Sequence, residues 1–210
     1  MIRKQDIPRA SRNATPQRTG RKPSVLDRLG AGEAQTVLFD LLATHPDLRP
    51  EAERIACSFV GNVDFEAVAD DVEHDLSWLD IDDLNGRAGS HRDGYTAPTD
   101  AAWELLQEAI DPFLSDMKRQ LELKLNTAAL EMCKGIVLGL YRVRRKARDG
   151  VLGWAPDFPK EAAVQAVRAL AGLESPRGSR SAAGARLAMA FVDEHAPEWS
   201  KVIARSLEHR

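Results

Sequence analysis

Residues 98–147 read PTDAAWELLQEAIDPFLSDMKRQLELKLNTAALEMCKGIVLGLYRVRRKA. Apolar residues recur there with helical spacing: Ala102, Leu105, Leu106, Ala109, Ile110, Phe113, Leu114 and Met117. Leu121, Leu125, Ala128, Met132, Ile136 and Leu140 carry the same period on to about Ala147. Such spacing lays one apolar stripe along a helix of 3.6 residues per turn. Pro98-Thr99-Asp100 opens the stretch, with Thr99 as the expected N-cap. Pro112 removes a backbone donor and crowds the preceding turn. A kink or break is therefore expected there: either Pro112 kinks one helix, or Asp111 caps a second helix with Pro112 in its first position. Asp149-Gly150 and Gly153 close the pattern.

The same period extends in both directions. Ala34, Val37, Leu38, Leu41 and Leu42 form one stripe, ended by His45-Pro46, because the residue before proline is pushed out of the α region. Ala52, Ile55, Ala56, Phe59 and Val60 form another, with Pro50 near its first turn and Gly61-Asn62 as its stop. Phe65, Val68, Ala69, Val72, Leu76 and Leu79 form a third, with Asp64 as N-cap. Toward the C-terminus, Pro159–Ala171 buries Ala163, Ala166, Val167 and Leu170. Ala182–Glu194 buries Leu187, Ala190 and Phe191, and Pro197–Leu207 buries Trp199, Val202, Ile203 and Leu207. Residues 174–181 form a loop. Composition agrees: 53 Ala and Leu stand against 27 Val, Ile and Thr among 210 residues. Ala and Leu lose little freedom in a helix, whereas β-branched residues lose more.

The expected fold is therefore all-α, an irregular bundle or short α-solenoid of about 8 helices. The rhythm of helices and short Pro/Gly turns resembles solenoids of the HEAT or tetratricopeptide type. The resemblance is one of rhythm only, because the diagnostic tetratricopeptide pattern and a fixed repeat period are both missing. Residues 1–24 lack apolar periodicity and read as a disordered basic arm. Residues 25–210 read as one domain. Residues 80–98, with Asn85-Gly86, Gly89 and Asp93-Gly94, read as an irregular loop inside it.

The net charge is −3, but it is unevenly spread. Residues 1–28 hold eight Lys/Arg and two Asp, so the rest of the chain is acidic. Residues 64–83 hold nine acids and no Lys or Arg: Asp64, Glu66, Asp70, Asp71, Glu73, Asp75, Asp80, Asp82 and Asp83. Arg142, Arg144, Arg145, Lys146 and Arg148 gather at a helix C-terminus, where the helix dipole favours cations. An unpaired acidic block would repel itself. The acidic helix and the basic helix end are therefore expected to face each other, or to face another copy of the chain. No segment reads as a signal peptide or membrane span, and Cys57 and Cys133 read as buried thiols of a reducing cytoplasm.

Motifs for defined chemistry are missing. No glycine-rich phosphate loop occurs, and Gly30-Ala31-Gly32 follows no strand. The two cysteines lack partners at zinc-ligand spacing. Asp71-x-x-His74 occurs once, where a carboxylate-bridged metal pair needs two such copies and two further carboxylates. Asp80-x-Asp82 fails as a calcium loop, because Leu84 and Asn85 stand where an oxygen ligand and a glycine are needed. No cofactor and no metal are expected.

The leading expectation for function is a non-enzymatic helical module that binds another protein or itself. Its contacting residues would be Arg87, His91, Arg92, Asp93 and Tyr95 in the 80–98 loop, with Asp70 and Glu73 on the acidic helix. One alternative is a nucleic-acid-associated protein that uses Arg3, Lys4, Arg9, Arg12, Arg18, Arg21 and Lys22 of the arm with Arg144 and Arg145. A second is an enzyme built around His91 as general base, with Arg87 and Arg92 holding an anion.

Overall fold

The computed structural model describes residues 24–92, 94–145, 150–172 and 182–208. Residues 1–23 of the arm, Asp93, residues 146–149, the whole 174–181 loop with residue 173, and residues 209–210 lie outside them. The described residues form ten α-helices and one two-stranded hairpin, so the chain is all-α. Two compact units divide at Ala52 and Glu53, and each is described by itself.

The first unit holds a single 3₁₀ turn at Val25–Arg28, helix α1 at Ala31–Thr44, another turn at Pro46–Leu48 and the start of α2, Arg49–Val60. Side chains close its helix entrances. The Ser24 N–H donates to Asp27 Oδ2 at 2.8 Å, and the Gly30 N–H donates to Glu33 Oε2 at 2.9 Å. Those carboxylates satisfy amides that helix geometry leaves orphaned. None of residues 24–52 is buried. The stripe of Val37, Leu38 and Leu41, expected to be covered, is exposed.

The second unit is built around α6, Asn126–Val143. α3 (Phe65–Ser77), α5 (Pro98–Glu122), α8 (Phe158–Leu170) and α9 (Ala182–His195) pack on it from different sides. α4 (Ile81–Arg87) leans on α5, the short α7 (Val151–Trp154) also meets α5, and α10 (Pro197–Glu208) covers α8 and α9. Leu106, Ile110, Met117, Ile136, Leu140, Val143, Phe158 and Ile203 are fully buried at the centre. A side cluster of Ala69, Leu138 and Phe191 is closed by Phe65, whose ring meets Phe191 edge to face at 5.4 Å.

Two glycines let α3 and α6 approach closely. A Cβ added to Gly135 would lie 2.5 Å from Val68 Cβ and 2.7 Å from the Phe65 carbonyl oxygen. One added to Gly139 would lie 2.6 Å from the Ala69 carbonyl oxygen and 2.7 Å from Val72 Cβ. Both faces are small enough to bring the inward residues Ala69, Val72 and Leu76 into the core.

The structure moves the expected break in the long stretch. α5 runs through Pro112 without ending, and its first residue is Pro98, with Ala97 and not Thr99 in the N-cap position. Pro112 is exposed, while Ile110, Leu114 and Met117 on the opposite side are buried. Packing of both halves on one face outweighs the lost backbone bond. The helix ends instead at Glu122, and two residues on Lys124 turns left-handed with φ 61°. There the Leu125 N–H donates to Gln120 O at 2.9 Å and the Lys124 N–H to Leu121 O at 3.0 Å. That pair of bonds is a Schellman stop, built on a lysine where glycine is usual.

Residues 80–98 are more ordered than expected. They contain α4, capped by Asp80, and a hairpin of β1 (Gly89–His91) and β2 (Gly94–Thr96). Gly89 pairs with Thr96, Ser90 with Tyr95 and His91 with Gly94. α9 also turns a different face inward: Ala188, Phe191 and Val192 are buried, whereas Leu187 and Ala190 are exposed. Among the described residues no helix is long and apolar enough to cross a membrane.

Candidate functional site

The acidic block divides by what each carboxylate does. Asp64 and Asp80 are N-caps, accepting from the Glu66 N–H at 3.0 Å and the Asp82 N–H at 2.9 Å. Glu66 and Asp70 point at α6, where Arg142 donates to them at 2.6 and 2.8 Å. Burial works against the charge of Arg142. The bond to Glu66, with the nearby charges of Asp70 and Glu73, outweighs it and raises the guanidinium pKa above its ordinary value. The acidic helix and the basic helix end therefore meet within the chain, through Arg142.

Arg144 and Arg145 have a different partner. Both lie 3.2 Å from Glu198 at the start of α10. The Arg144 guanidinium also covers the Tyr141 ring, donates to the Tyr141 carbonyl and sits 5.9 Å from the Trp199 ring centre. The bond from Arg144 holds Glu198 below the ordinary carboxylate range. This is a packed cation–π and ion-pair cluster at a helix end.

Asp71, Asp75 and Asp82 pair with no cation among the described residues and are exposed. Between them in sequence stands Trp78, at the C-cap of α3, with 76% of its surface exposed. Its ring lies 5.3 Å from that of His74. Ile81, at the start of α4, is also exposed. No family model, curated protein or solved structure matches this chain.

The remaining candidates are scattered. Arg87 makes a two-pronged pair with Glu108 of α5, both bonds 2.7 Å, which lowers the Glu108 pKa and raises that of Arg87. His91 lies in β1 opposite Gly94, and Arg92 is exposed in the turn. Tyr95 is 70% exposed on β2. Asp93 lies outside the described residues, as do Arg3, Lys4, Arg9, Arg12, Arg18, Arg21 and Lys22. Among the described residues no group of three His, Cys, Asp or Glu side chains converges to hold a metal. Cys133 is buried, and burial pushes its thiol up to about 12, whereas Cys57 is exposed.

Trp78 is the residue that the sequence pattern leaves unread. It falls outside the stripe of Val68, Val72, Leu76 and Leu79. A tryptophan out of phase with its own helix is the signal that would have found it.

Proposed function

We propose that this chain is a non-enzymatic helical interaction module, and that its α3–α4 face binds a partner protein of basic character. The observation that carries the reading is Trp78, largely exposed within a run of acids that includes Asp71, Asp75 and Asp82, which pair with no cation among the described residues. Covering its indole would remove roughly 150 Å² from water, on the order of 4 kcal/mol of apolar burial. Exposed tryptophans that become buried are the usual energetic centres of interfaces. The surrounding carboxylates would select a cationic partner and speed its approach. A further support is the first unit, whose stripe of Val37, Leu38 and Leu41 is exposed. The nucleic-acid alternative draws less support, because Arg144 and Arg145 already hold Glu198.

The test is a photo-crosslinking amino acid placed at position 78 and, as a control, at the exposed Asp116 of α5. In extract of the native cell, one discrete protein adduct is expected from position 78 and none from position 116. No adduct at 78, or the same adducts from both positions, would overturn the reading.

A further inference from the structure

A second feature lies in a different part of the second unit. The first turn of α5 and the segment from α7 into α8 enclose a cleft of about 260 Å³. It is lined by Thr99, Asp100, Trp103, Trp154, Ala155, Pro156 and Asp157. Among the described residues, two tryptophans, two carboxylates and no cation line one small space. Each indole is only partly covered: Trp103 is 39% exposed and Trp154 49%. Trp103 is held in place from behind, where its ring meets the fully buried Phe158 edge to face at 5.1 Å. Asp100 and Asp157 are both exposed at the rim. Asp157 is engaged from outside by Lys160 at 3.0 Å.

Indole faces carry negative electrostatic potential and attract cations, most strongly when the cation sheds water easily. Carboxylates at the mouth add a long-range attraction and repel anions. The positive end of α5 would favour an anion, but Asp100 in its first turn already answers that dipole. The volume is below that of drug-sized pockets and suits a single head group. We infer that this cleft is a binding site for an alkylated ammonium group, such as a trimethylammonium head, taken between Trp103 and Trp154 with Asp100 and Asp157 as its counter-charges.

The experiment follows the four indole N–H signals of the full chain by two-dimensional NMR during titration with choline at constant ionic strength. Trp103 and Trp154 are expected to shift saturably, with a dissociation constant on the order of millimolar. Trp78 and Trp199 serve as internal controls. The uncharged isostere 3,3-dimethylbutanol should bind at least ~10-fold more weakly, because it lacks the charge that the rings and carboxylates recognise. Trp154→Leu should weaken choline binding ~10-fold, and Asp100→Asn, which keeps the shape, about threefold. Lys160→Met releases Asp157 and should tighten binding about twofold. A peptide carrying trimethyllysine separates the two sources of the group. Tighter binding than choline assigns a protein tail and equal or weaker binding a free small cation, and either upholds the site. The inference is overturned if no indole shifts saturably, if the isostere binds as well as choline, or if Trp78 shifts as much as Trp103 and Trp154.

Discussion

Replacing Gly139 by alanine should destabilise the second unit, although alanine is the better helix former. In an open helix the change would gain about 1 kcal/mol. At position 139 the new Cβ would lie 2.6 Å from the Ala69 carbonyl oxygen and 2.7 Å from Val72 Cβ. Ordinary contact begins near 3.4 Å, so α3 would have to withdraw by about 0.8 Å. Backbone is among the atoms met, and no rotamer change relieves it. Withdrawal would loosen Ala69, Val72 and Leu76 together. Overpacking against backbone lies toward the upper end of a cost of about 1–3 kcal/mol, which leaves a net loss of about 1–2 kcal/mol after the propensity gain. For a chain of this size the melting temperature should fall by roughly 2–8 °C. Gly86 of α4 is the control, because nothing lies within 4 Å of an added Cβ there. Urea denaturation should show Gly139→Ala below the parent chain and Gly86→Ala at or above it. If Gly139→Ala is as harmless as Gly86→Ala, the close seam between α3 and α6 is wrong.

Lys124→Gly should stabilise the chain by about 0.5–1 kcal/mol in the same assay, because it removes a side chain from a left-handed position while keeping the Schellman bonds. Native-state thiol titration should count one reactive cysteine, Cys57, and a second only in denaturant, because Cys133 is buried with its thiol near 12. Acid melts should expose the pairs made by Glu108 and Glu198. Both carboxyls are held below their ordinary range, by Arg87 and Arg144 respectively. Their contribution is full above the unfolded value of about 4.3 and is lost as pH falls through the lower folded values. Glu108→Gln with Glu198→Gln should flatten the loss of melting temperature below that pH.

Much of the fold was legible because large apolar residues mark one helix face. The stripes of α3 and α8 turn inward as the spacing predicts. Where small residues do the packing, periodicity misleads. α9 buries Ala188 and exposes Leu187, the reverse of their hydrophobic rank. Gly135 and Gly139 look like blemishes in an apolar helix, and only the approach of α3 gives them a role. Lys124 is invisible for another reason: the stripe stays in phase across it, and lysine seldom takes a left-handed turn. In the candidate site, complementary charge pointed to contact between α3 and the end of α6, and Arg142 makes it. The link from Arg144 and Arg145 to Glu198 joins residues over 50 positions apart, which no local pattern encodes.

The proposed partner face is tested most directly by the charge dependence of the crosslink from position 78. Asp75→Lys and Asp82→Lys, introduced together, change two exposed carboxylates and leave the buried face of α3 intact. The adduct is expected to disappear in this variant, and to weaken in the parent chain as salt rises to ~0.5 M, while the melting curve stays in place. An adduct that survives both the charge reversal and the salt would refute a partner selected by its positive charge.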